Sequence, residues 1–71
     1  MIVAELLGVV FEEESIEVLD HTKKIDELVL YQGLAKDLSC EHAVMRMEVS
    51  EIFSTPGGIH IWVRGGERDG A

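Results

Sequence analysis

The chain is expected to fold as an α+β domain, in which a small antiparallel sheet, made of an N-terminal strand and a C-terminal hairpin, packs on one helix. Three observations lead there. Met45, Met47 and Val49 alternate with polar neighbours, Ile59, Ile61 and Val63 do the same, and the two runs meet at Thr55-Pro56-Gly57-Gly58. Proline presets φ and glycine accepts unusual backbone angles, so this is a β-hairpin signal. The alternative is a mostly β, small-barrel domain with strands near residues 16–19 and 28–32.

Taken in order, Ile2 to Phe11 reads as a strand buried on both faces, interrupted by Glu5 alone, with Gly8 marking a bulge or a close backbone approach. Glu12-Glu13-Glu14-Ser15 is a solvated turn by composition, and Ile16 to Leu19 suits a short strand or a first helical turn. Asp20 or Thr22 is placed to cap a helix running from about Thr22 to Gln32, with Ile25, Leu28 and Val29 on one side and Gly33 as its stop. Leu28 to Tyr31 also has strand character, but the helix is the preferred reading. Leu34 to His42 reads as a surface connection, leading into the strand that carries Met45, Met47 and Val49.

The loop of the hairpin decides which side chains share a face. A three-residue loop, Pro56-Gly57-Gly58, collects Met45, Met47, Val49, Phe53, Ile59, Ile61 and Val63 on one side. A two-residue loop instead sets Phe53 opposite His60, and because a one-residue slip turns every side chain over, the odd loop is preferred. Glu51 fits neither set, and a β-bulge near Ser50-Glu51 is the usual way to turn such a residue outward.

A chain of 71 residues is expected to form one compact domain over residues 1–64, followed by a polar, glycine-rich C-terminal tail over residues 65–71. Apolar residues at 46% suffice for a core, and a single cysteine excludes an internal disulfide, which leaves self-association as the common remedy for a small core. No apolar run approaches the roughly 20 residues of a membrane span, and the first residues lack the basic start of a signal peptide, so a soluble cytoplasmic protein is expected. The net charge of −8, with six carboxylates and no lysine or arginine up to Asp20, speaks against nucleic acid and anionic membranes as partners.

Three groups of residues invite four chemical readings. Glu12, Glu13, Glu14, Glu17 and Asp20 cluster carboxylate oxygens of the kind Ca²⁺ or Mg²⁺ requires, without the spacing of an EF-hand loop; a solvated charged turn is the simpler reading. Cys40 and His42, with His21 and His60 elsewhere, offer a weak C-x-H pattern for Zn²⁺. The same Cys40/His42 pair offers a nucleophile and a base to a small enzyme subunit, although Glu41 beside the thiol disfavours its thiolate. The polar side of the hairpin groups Arg46, His60, Trp62 and Arg64, and tryptophan and arginine are enriched at binding hot spots. The expected function is therefore non-catalytic: a protein-interaction or assembly module, self-associating as a homodimer through a sheet face or edge.

Overall fold

The computed structural model describes residues 1–64; the expected tail, 65–71, lies outside the described residues. A short α-helix, α1 (Val3–Leu7), precedes four strands: β1 (Ser15–Asp20), β2 (Val29–Leu34), β3 (Val49–Thr55) and β4 (Gly58–Val63). Single 3-10 turns occupy Ile25–Glu27, Ala35–Asp37 and Ala43–Arg46. The strands form one open sheet in the order β2-β1-β4-β3. The central pair β1 and β4 runs parallel, and each is flanked by an antiparallel partner. A four-stranded sheet with little helix is thus the architecture, and no helix among the described residues is long and apolar enough to cross a membrane.

The expected N-terminal strand is a helix. Val3 and Leu6 are buried, and Leu7 and Val10 pack against the same core, which is the i, i+3, i+4, i+7 stripe of an amphipathic helix hidden in an apolar run. Glu5 starts it by accepting the Ile2 backbone N–H at 3.0 Å, and Gly8 ends it. The chain before it is nevertheless tied to the sheet: Val49 N–H donates to the Met1 carbonyl and Val3 N–H to the Met47 carbonyl.

The expected helix from Thr22 to Gln32 is also absent. Ile25 is 86% exposed, and the β-branched and aromatic residues after it form β2, which pairs antiparallel with β1. Asp20 does cap a local structure, accepting from the backbone N–H and hydroxyl of Thr22 at 2.8 Å each, but it closes a turn and not a helix. The two strands of the alternative reading are therefore present, in an open sheet. Finally, Met45 and Arg46 lie in a 3-10 turn and not in a strand. His42 caps this turn with Nδ1, which accepts the Val44 N–H at 3.1 Å.

The hairpin loop has two residues, Pro56 and Gly57, because Thr55 pairs with Gly58, Ser54 with Ile59 and Phe53 with His60. Two contacts fix that length. The Thr55 hydroxyl accepts the Gly57 N–H and donates to the Gly58 carbonyl. Gly58 has φ +138° and lies so close to β1 that a Cβ there would overlap the carbonyl oxygen of Ser15. The expected bulge is present between Val49 and Glu51 and undoes the register change, returning Val49 to the side of Val63 while Glu51 faces out.

The core lies on one side of the sheet. Ile16 and Val18 of β1 and Ile61 and Val63 of β4 are fully buried against Val3, Leu6, Leu38 and Val44. Each such side chain contributes roughly 1.5–3 kcal/mol through removal from water.

Candidate interaction face

Strand alternation sends the core residues to one side, and the opposite, open side has His21, from the turn after β1, stacked over one of its strands. The register assembles two rows across that open face. One runs Val29, Leu19, Trp62, Glu51; the other runs Gln32, Glu17, His60, Phe53. Leu19 is only 7% exposed although it stands outside the main core, because Val29 and Trp62 flank it. Phe53 and Val29, at opposite corners, are 50% and 48% exposed. The face is thus an apolar band crossing three strands, with aromatic groups at its centre and one corner.

Histidines line this band. His21 leaves the end of β1, where its N–H donates to the Val63 carbonyl, and its ring stacks on Trp62 with centroids 4.6 Å apart and planes 22° from parallel. Its Nε2 also lies 3.4 Å from Glu51 Oε1. In the second row His60 Nε2 lies 3.3 Å from Glu17 Oε1. At the bulge, the Ser50 hydroxyl donates to the Trp62 carbonyl, which anchors the strand segment that carries Glu51. Glu17 and Glu51 are the face's carboxylates, and each stands beside an imidazole.

The sequence-derived residues divide. Trp62 and His60 meet on the open face, with Trp62 half-buried by its neighbours and neither lost in the core nor free. Exposed Arg64 continues their strand and lines a shallow groove with His21 and Thr22. Arg46 does not join them: its 3-10 turn sits on the covered side, beside Asp20, Val44 and Met47. Trp62 faces Glu51, the consequence of the two-residue loop and the bulge-side register. Sequence reasoning missed Phe53 and Leu19 as members of this face, and His21 as the partner of Trp62. Alternation from Trp62 across an even loop would have found Phe53.

No known family model, curated protein or solved structure matches this chain. Its chemistry is read from its own residues.

The acidic segment does not converge. Glu12 and Glu13 are exposed in a turn, Glu17 points to the open face, and Asp20 is buried on the opposite side. The backbone carbonyls of Glu12 and Glu14 accept from Lys36 and Ala35, so this stretch holds the turn after β2 in place. Among the described residues no three His, Cys, Asp or Glu side chains are grouped to hold a metal ion. Cys40 is exposed, and His42 spends Nδ1 on its cap. On the covered side Tyr31 donates its hydroxyl to the Leu34 carbonyl at 2.7 Å; burial first, and then the nearby Asp37 carboxylate, raise its phenol above the usual 10.0.

Proposed function

We infer that this chain is a non-catalytic assembly module whose open sheet face packs on the same face of a second copy. The observation that carries this reading is the apolar row Val29, Leu19, Trp62, with Phe53 beside it, on the sheet face opposite the core, where Val29 and Phe53 are about half exposed. Sheets normally bury such a face against another layer, and two sheets pack face to face about 10 Å apart.

The net charge of −8 opposes a like partner, but the open face itself carries few carboxylates. Most carboxylates behind the net charge of −8 lie on α1 and in the turns, while the face's Glu17 and Glu51 each stand against a histidine. Repulsion between the outlying charges of two copies is screened beyond about 8 Å at physiological salt. Four strands spaced about 4.8 Å apart and about six residues long give a footprint of roughly 400 Å² per copy. A total near 800–1,000 Å² is small for a stable interface, so association in the micromolar range is expected.

Sedimentation velocity between about 1 and about 500 μM tests this, since that span brackets a micromolar Kd. A concentration-dependent monomer–dimer equilibrium is expected, strengthened by added salt. Phe53→Lys, at a half-exposed position, should weaken it at least roughly tenfold with the circular dichroism spectrum unchanged. Monomer throughout refutes the reading. So does a dimer indifferent to Phe53→Lys, which would place the contact at the free edges of β2 and β3.

A further inference from the structure

The sheet ends on β3, whose inner edge pairs with β4. Its outer edge starts out occupied by the chain's own first residues. Ile2 bridges antiparallel to Glu48, with Val3 N–H donating to the Met47 carbonyl and Val49 N–H to the Met1 carbonyl. Past the bulge between Val49 and Glu51, no strand pairs with this edge among the described residues. We propose that the free stretch, from Ser50 to Thr55, takes an extended, basic peptide segment of a partner protein as a fifth, antiparallel strand. The register sets the backbone for it. Thr55 closes the two-residue loop with Gly58, so Thr55 and Phe53 bond to β4, while the N–H and C=O groups of Ile52 and Ser54 point outward. The bulge thus moves the outward positions from Met47 and Val49, which the N-terminal residues satisfy, to Ile52 and Ser54.

Side chains on both sides of this edge favour an added strand. Ile52 stands on the core side, opposite Ile61, and is 46% exposed; Phe53 stands on the open face, opposite His60, and is 50% exposed. A second sheet packed on the open face covers Phe53 alone, whereas a strand laid along the edge flanks both. Charge selects its chemistry. Val49–Thr55 contains no lysine, arginine or proline, the residues that commonly blunt an exposed edge, and its one charged side chain is exposed Glu51, with exposed Glu48 just before it. Arg64 lies beyond the bulge, where its N–H donates to the Glu48 carbonyl. On a chain of net charge −8, such an edge attracts a cationic segment and disfavours a second copy. The fitting segment alternates a β-branched residue, laid beside Ile52, with lysine, whose stem lies along Phe53 and whose ammonium reaches Glu51. Dimerisation through the open face requires neither the outward backbone of Ile52 nor a cationic partner, so the two readings are tested separately.

Titration of the ¹⁵N-labelled chain with the peptide Ac-Lys-Val-Lys-Val-Lys-Val-NH2 tests this. Saturable amide shifts are expected at Ile52, Phe53 and Ser54, with a Kd of about 1 mM or tighter, and the Ile52 and Ser54 amides should exchange with solvent several-fold more slowly at saturation. The acidic counterpart, Ac-Glu-Val-Glu-Val-Glu-Val-NH2, should bind roughly tenfold or more weakly. N-methylation of the valines removes the N–H groups that face Ile52 in an antiparallel pair while keeping charge and side chains, and it should abolish binding. Ile52→Pro removes an outward N–H from the chain itself, a change that an edge strand tolerates, and should abolish binding as well. Should that variant fail to fold, the N-methylated peptide makes the same test on the unaltered chain. The absence of saturable shifts, shifts centred on Trp62 or on β2, or equal binding of the acidic or the N-methylated peptide overturns the proposal. So does slow exchange at Ile52 and Ser54 that grows with the concentration of the chain alone, which would assign the edge to a second copy.

Discussion

Gly58→Ala is the substitution that most directly probes how this chain is built. Gly58 opens β4 at φ +138°, a region that disfavours any residue with a side chain by about 1–3 kcal/mol. An alanine methyl there would also overlap the Ser15 carbonyl oxygen and lie 3.0 Å from its carbonyl carbon. Both neighbours are backbone, so relief requires β1 and β4 to move apart at the start of the parallel pair that carries Ile16 and Ile59. A further 1–3 kcal/mol is a reasonable cost for that displacement, by analogy with overpacked cores, and the total is about 2–6 kcal/mol. A chain of this size holds about 4–10 kcal/mol in all, so much of its stability is at stake. Urea denaturation followed by Trp62 fluorescence measures the loss; with a slope of about 1 kcal/mol/M, the midpoint should fall by roughly 2 M or more. Gly57→Ala is the control, since its nearest neighbour is 3.9 Å away and its φ is not positive. It should be neutral or stabilising by up to about 1 kcal/mol. A mild Gly58→Ala with a damaging Gly57→Ala would refute the reasoning and restore the three-residue loop that hydrophobic alternation favours.

Two further outcomes follow from burial and from proton linkage. Ile61→Ala, at a fully buried position in β4, should cost about 2–5 kcal/mol in the same urea assay, whereas Ile25→Ala, at a residue 86% exposed, should stay within about 0.5 kcal/mol. Equal costs would revive the amphipathic helix expected over that stretch. Tyr31→Phe removes the donor to the Leu34 carbonyl and should cost about 1 kcal/mol at neutral pH. The folded chain holds the phenolic proton more tightly than the unfolded one, so that contribution is present below the usual 10.0 and is lost as pH rises through the folded value. The gap between wild type and Tyr31→Phe should accordingly narrow above pH 10.0, and a gap that stays constant there would contradict the shift.

Local chemistry was legible where one short-range rule had no rival. Apart from the length of its turn, the β3–β4 hairpin follows from residues within a few positions of one another, as does the bulge that turns Glu51 outward. So does the alternation of Ile59, Ile61 and Val63 with His60 and Trp62, which put two of the candidate site residues on one face. Where two rules competed, the sequence was ambiguous. Val3, Leu6, Leu7 and Val10 satisfy a helical stripe as well as an apolar strand, and only docking against the core selects the helix. Val29 to Tyr31 satisfy either pattern until β1 offers an edge with which to pair.

What the sequence by itself determined, then, is the composition of a small apolar core, the existence of a hairpin and the shared face of His60 and Trp62. Tertiary structure alone decided the rest of the site. The parallel pairing of β1 with β4 joins residues more than forty positions apart in the chain, bringing Leu19 beside Trp62, His21 onto its ring and Glu17 to His60. It also sets Ser15 against Gly58, and with it the parity of the loop that carries Phe53 to the open face. The physical reason is range. Turn chemistry and periodicity act over a few residues, whereas strand order is settled by which edges can pair while burying Ile16, Val18, Ile61 and Val63 together, a condition met only by the assembled sheet.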